Sequence, residues 1–180
     1  VALMDILKRQ EAIPASYPAT PEGLSPAAAA LDPVMIWQRI ESYVAHRWTP
    51  RTAIWTVTGP GEFVPDLTPA TITAQEVWDG VGWIPASLDA GFMGGVVLAG
   101  EGPFRFTADV GGGPVPAAVN GAFIRLAGYM ADASDRAGVS SYTVGMGGAV
   151  EESYQRNPAW MARAIQNSGA GDLLRPYRRA

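Results

Sequence analysis

Cysteine is missing from the 180 residues. Its absence excludes disulfides, zinc–thiolate sites and iron–sulfur clusters, and it leaves the redox compartment unreadable. Histidine occurs once, as His46, so no metal site can draw on two imidazoles and no His–His acid–base pair can form within the chain. Lysine also occurs once, as Lys8, against twelve arginines. With the heavy use of Ala, Gly and Pro, this bias reads as GC-rich codon usage rather than as chemistry. Long hydrophobic runs are lacking too. The longest apolar stretch, Phe92–Gly100, falls well short of the roughly 20 residues a membrane-spanning helix needs. Asp5, Lys8, Arg9 and Glu11 break up the N-terminal segment, so no secretory leader is expected there.

What is present points to a folded, turn-rich protein. Hydrophobic residues make up 48% and charged residues 17%, too apolar for wholesale disorder. The 21 glycines and 15 prolines call for many turns and irregular stretches. The net charge of −4 hides an asymmetry. From Ser153 onward there are five arginines and one acid, whereas the preceding 152 residues carry eight basic and sixteen acidic groups. An acidic body with a basic tail suits docking of that tail on an acidic surface.

Leu3, Ile6 and Leu7 have helical spacing, which predicts a short amphipathic turn over Leu3–Arg9. Pro14, Pro18, Pro21, Pro26 and Pro33 then punctuate an Ala-rich stretch that favours an extended arm. At ~3.1 Å per residue such an arm could reach ~60 Å, and the stripe of Leu3, Ile6 and Leu7 at its end is expected to dock, on its own body or, as an intersubunit arm, on a neighbour. Asp32–Pro33 is a helix start, with Asp as N-cap and Pro at the first helical position. The stripe Val34, Trp37, Ile40 and Val44 carries this helix toward His46, which is expected on the helix surface in the last turn.

From Arg51 to Val110 the period falls to two. Trp55 and Val57 alternate with Ile54, Thr56 and Thr58. Thr71–Trp78 and Val81–Ile84 flank Asp79–Gly80, a hairpin signal. Gly95–Ala99 and Pro103–Val110 flank Gly100–Gly102, read as a second hairpin, with Phe104, Phe106, Ala108 and Val110 on one face. A helix follows over Ala117–Ala133, its stripe formed by Val119, Ala122, Phe123, Leu126 and Met130. Ser134–Arg156 reads as a glycine-rich loop, Asn157–Pro158 as another helix start, and Gly169 as its stop. The fold class is therefore α+β: helices packed with a small antiparallel β-sheet, an extended N-terminal arm and a C-terminal docking tail. The expected divisions are an arm over 1–31, a single helix–sheet–helix domain over 32–169 and a tail over 170–180.

The residues offer little chemistry. A nucleophile–base pair needs His near Ser or Cys, and the only His is expected on a helix surface. Gly111-Gly112-Gly113 stands between a strand and a helix, where a phosphate loop would lie. It matches no phosphate-binding fingerprint, and Pro114 and Pro116 remove amide donors. Asp66, Glu76, Asp79, Asp89 and Glu101 are the acids a two-carboxylate glycosidase could use, although solvated strand ends and turns account for them far better. Trp78 and Trp83, beside the Asp-Gly turn, suit either an interface or a small-ligand or carbohydrate platform.

The C-terminal third carries a pattern of its own. Val115-Pro116 leads into Ala122-Phe123-Ile124-Arg125-Leu126-Ala127-Gly128-Tyr129, and the chain ends Asp172-Leu173-Leu174-Arg175-Pro176-Tyr177-Arg178-Arg179-Ala180. Over roughly residues 114–180 this resembles the head–tail connector (adaptor) family of tailed phages and gene transfer agents, in which a Val-Pro enters a long helix and a Leu-Leu-x-x-Tyr-Arg signature closes the chain. The Pro-rich arm matches nothing in that pattern, and the long Ser134–Arg156 segment departs from the shortest members.

The resemblance implies a non-enzymatic virion protein without cofactors or metals, made in the bacterial cytoplasm and placed at the head–tail interface of a siphovirus-like particle. It implies a homo-oligomeric ring, a dodecamer, seated on the portal protein and receiving a stopper or tail-completion protein. DNA would pass through the channel during ejection without sequence-specific binding. The portal-docking residues would be Leu173, Leu174, Arg175, Tyr177, Arg178 and Arg179, and the neighbour met by the Leu3, Ile6 and Leu7 stripe would be an adjacent copy or the portal. The alternatives are a small-ligand or carbohydrate-binding module and, further off, a divergent glycoside hydrolase.

Overall fold

The computed structural model describes residues 4–132, 139–147, 149–156 and 160–178. Leu3, Arg179 and the Asn157–Pro158 helix start lie outside the described residues. Helices and antiparallel strands are both present, as an α+β protein requires. Chain contacts divide the protein into two compact units, each formed from separate stretches of the sequence. One comprises the N-terminal residues up to Pro18 with Ala45–Pro114; the other comprises Ala19–Val44 with Val115–Arg178.

The first unit is built on a five-stranded antiparallel sheet. Its strands are β1 (Asp5–Glu11), β2 (Arg51–Thr58), β4 (Ala70–Trp78), β5 (Trp83–Pro85) and β7 (Phe104–Val110), in the order β1-β2-β7-β4-β5. Two short strands, β3 (Gly61–Phe63) and β6 (Val96–Leu98), form a second sheet. The period-two pattern works as read. Phe104, Phe106, Ala108 and Val110 are buried, and on β2 so are Ala53, Trp55 and Val57. Phe63 from β3 stacks on Phe106 with ring centroids 4.7 Å apart, so the small sheet closes the apolar face of the large one. The buried Trp55 donates its Nε1–H to Asp66 Oδ1 at 2.7 Å, which satisfies its one polar atom.

Three expectations for this unit are corrected. Residues 5–11 form strand β1 rather than a helical turn. β1 pairs with β2 from Asp5↔Thr58 to Glu11↔Ala53, and Ile6 packs on the core. Four charged residues within seven give a poor helix stripe, and the register shift between Ile6 and Lys8 lets Ile6 face inward while Lys8 stays in water. Nor is the following stretch a free arm throughout. Ala12 donates its N–H to Thr52 O at 2.9 Å, Pro14 is buried, and Tyr17 lies under the Arg51 guanidinium at 5.8 Å. Farther on, in the second unit, Pro26–Ala29 is a helical turn, α1, with Ser25 as its cap. Third, β6 does not form a hairpin with β7; it pairs with β3. β7 is the central strand, with both edges occupied over its length by β2 and β4, which leaves no edge for β6.

The Asp79–Gly80 hairpin is present between β4 and β5, with a four-residue rather than a two-residue connection. Trp78 pairs with Trp83, and Asp79 Oδ1 accepts the N–H groups of Val81 and Gly82, each at 2.8 Å. That side-chain turn supplies what a tight backbone turn would otherwise supply.

In the second unit, helix α2 (Pro33–Tyr43) starts at the predicted cap, Asp32 accepting the Val34 N–H at 2.9 Å. Ile36, Trp37 and Ile40 are buried while Val34 is 40% exposed, so the stripe is rotated from the one read. The helix stops at Tyr43. His46 is therefore not in its last turn; it belongs to the first unit, where it forms a parallel bridge with Thr68. Helix α3 (Ala117–Met130) buries Val119, Ala122, Phe123, Leu126 and Ala127, and Phe123 meets Trp37 at 5.0 Å.

The segment read as a glycine-rich loop is a hairpin instead: β8 (Val139–Gly147) and β9 (Ala149–Arg156), paired from Val139↔Arg156 to Gly147↔Ala149. Its tyrosines, valines and threonine carry the strand preference. Short helices α4 (Ala164–Asn167) and α5 (Ala170–Leu174) and a 3-10 turn at Arg175–Tyr177 complete the unit.

Candidate functional site

The C-terminal segment is held by one leucine and displays its charges. Leu174 is fully buried, so it belongs to its own unit's core and is not available to a partner. This corrects its place among the docking residues. The reason is helical geometry: α5 directs adjacent positions to different faces, and Leu174 takes the inner one. Leu173 is half-buried and lies close to Gly121 on α3, where a Cβ would come within 3.5 Å of its Cδ1.

Arg175 is exposed and Tyr177 half-buried. Arg178 is exposed but oriented: its guanidinium lies over the Tyr43 ring at 4.7 Å, and its Nη1 donates to the Tyr43 hydroxyl at 3.4 Å. Gly169, at φ +73, makes the left-handed step between α4 and α5, and its carbonyl accepts from Arg125 Nη1 at 3.4 Å. The result is a basic chain end fixed by a buried anchor and a cation–π contact.

A second surface lies on the β4–β5 hairpin. Trp78 and Trp83 meet edge to face, centroids 5.4 Å apart. Arg105 from β7 stacks on Trp83 at 4.6 Å and donates two hydrogen bonds to Glu76, from Nε at 2.6 Å and Nη2 at 2.7 Å. The bidentate pair fixes the guanidinium plane, so the ring it covers is held still. Those hydrogen bonds keep the Glu76 carboxyl below its ordinary range and raise Arg105. Asp79 is also held low, by the N–H groups of Gly82 and Val81. Neither suits the proton donor of a glycosidase, which needs a raised pKa.

Of the other candidate acids, Asp66 has a structural role. Asp66 takes the Trp55 indole and Arg9. The Asp89 and Glu101 carbonyls accept the N–H groups of Val97 and Gly59. His46 packs against Trp48 at 4.9 Å. Burial first, and then the charge of Arg47, lower its pKa, which favours the neutral imidazole. In the glycine run, Gly111 donates its N–H to Pro69 O and Gly112 to Arg47 O, which spends amides that a phosphate would need.

Of the proposed arm residues, Ile6 faces the core and Leu7 is 57% exposed at a bulge in β1. One display was not anticipated. Phe92 is fully exposed and Met93 is 67% exposed, at a turn fastened by Glu62, whose Oε1 accepts the N–H groups of Met93 at 2.8 Å and Gly95 at 2.9 Å. The signal was legible as two apolar residues bracketed by Gly91, Gly94 and Gly95. Among the described residues no group of His, Asp and Glu is arranged to hold a metal ion, and no helix is long and apolar enough to cross a membrane. No protein-family model matches the chain, and neither the curated proteins nor the solved structures contain a match to it.

Proposed function

We propose that this protein is a structural adaptor of the head–tail connector type, docking through its C-terminal segment on a portal ring and assembling as a ring of identical copies. One observation carries the reading: the chain end that bears the Leu-Leu-x-x-Tyr-Arg pattern is anchored from within and charged on the outside. Leu174 is buried, while Arg175 and Arg178 are exposed. An anchored, pre-oriented basic segment loses less freedom on binding than a free tail would. The docking set is accordingly Arg175, Tyr177 and Arg178 with the outer side of Leu173.

The test is the full chain carrying Arg175→Glu and Arg178→Glu, assayed for co-sedimentation with the purified portal ring of the particle it belongs to. The wild type should sediment with the ring and the variant should remain in the supernatant while keeping the wild type's circular dichroism spectrum. Equal binding by both would refute the reading. A carbohydrate or small-ligand role for Trp78 and Trp83 is less well supported, because Arg105 already occupies a face of Trp83.

A further inference from the structure

We infer that copies of this chain join edge to edge through their five-stranded sheets, the β4–β5 hairpin of one copy seating on the β1 edge of the next. This inference rests on the ring-forming reading above and names the surfaces that form the ring.

The two outer strands of the sheet are β1 and β5, and both margins expose apolar side chains that the unit itself leaves uncovered. At the β1 margin, Leu7 is 57% exposed and Ile13 is 87% exposed. Leu7 is the residue at the register shift between Ile6 and Lys8, where a bulge re-aims a side chain out of the ladder. At the opposite margin, Val81 is 88% exposed, Ile84 43% and Trp78 39%. The Asp79 side-chain turn and the Arg105 stack on Trp83 hold this end in shape before any partner arrives.

Beside Leu7 and Val81 the charges are opposite, Asp5 lying farther along β1. Lys8, exposed, stands next to Leu7, and Asp79, kept ionised by two backbone N–H groups, stands near Val81. Main-chain pairing is not the mode of contact. β5 offers only three residues, and Pro85 has no N–H to give. The contact is made by side chains.

Two different apolar margins on opposite edges of one sheet make a heterologous contact, which propagates from copy to copy and closes as a ring when the rotation allows. An isologous contact would instead pair like margins and stop at a dimer.

The chain has no cysteine of its own, so introduced ones report cleanly. Leu7→Cys, Val81→Cys and the double variant, all in the full chain, are treated with a short bismaleimide at high protein concentration. Across four strand spacings the two positions are about 19 Å apart within one copy, beyond the linker's reach. The double variant should give a ladder of covalent oligomers, and an equimolar mixture of the single variants a dimer and nothing larger. Each single variant alone should stay monomeric.

A dimer from Val81→Cys alone would overturn the inference in favour of like-with-like contact, and absence of the ladder would overturn it outright. Portal co-sedimentation of the untreated wild type separates the two readings. Portal binding without a ladder removes this interface and leaves the adaptor function standing, whereas a ladder without portal binding does the reverse.

Discussion

Arg47 donates Nε–H to Glu11 Oε1 at 2.6 Å with a side chain only 6% exposed, and so ties the N-terminal strand to the chain segment that follows helix α2. Arg51 reaches the same oxygen at 3.0 Å, and Arg47 Nη2 takes the other at 3.2 Å. Two nearly buried guanidinium groups therefore converge on one carboxylate that belongs to a stretch whose prolines and charges read as an arm.

Glu11→Gln should destabilise the first unit by about 2 kcal/mol, because it leaves two buried cations without their carboxylate. Burial alone would raise the Glu11 pKa, but the hydrogen bonds and charges of Arg47 and Arg51 outweigh it and the net shift is downward from 4.5. A depressed carboxylate contributes stability that is fully present above its unfolded pKa and is lost as pH falls through the folded one. The wild type's advantage over Glu11→Gln in thermal midpoint should thus be constant near neutrality and shrink below about pH 4.5. An advantage that persists to pH 2 would show that the charge on Glu11 is not the source.

Removal of residues 1–12 should lower the thermal midpoint by roughly 10 °C or more, since it deletes an edge strand, the inward side chain of Ile6 and the Glu11 carboxylate together. A free arm would be removed without effect. Differential scanning calorimetry of the full and shortened chains distinguishes the two.

Leu174→Ala should cost about 2–4 kcal/mol by leaving a cavity in the second unit, whereas Arg175→Glu, exposed one residue later, should stay within about 0.5 kcal/mol of the wild type. Chemical denaturation of both variants provides the comparison. A neutral Leu174→Ala would return that residue to the docking surface.

Gly95→Ala should cost about 2 kcal/mol, because an added Cβ would stand 2.1 Å from the Phe63 carbonyl oxygen and 2.7 Å from Val64 Cγ2. The carbonyl is backbone and cannot swing aside. Gly82→Ala meets nothing within 4 Å and should be nearly silent, which makes it the matched control in a thermal melt.

The sequence by itself determined what is local. The Asp32–Pro33 helix start, the inward set of Phe104, Phe106, Ala108 and Val110, and the turn at Asp79 each depend on neighbours within a few residues, so a pattern in the chain suffices to find them. The aromatic pair beside that turn was legible for the same reason. The tertiary structure decided who pairs with whom. β6 goes to β3 because both edges of β7 are filled by strands distant in sequence, and no local signal reports an occupied edge. Residues 5–11 became a strand because β2 offered an open edge and Arg47 and Arg51 a binding place for Glu11, all more than thirty residues away. Leu174 left the docking set because burial is a property of the surroundings: two adjacent leucines look alike in a sequence, and only the packed helices say which of them faces inward.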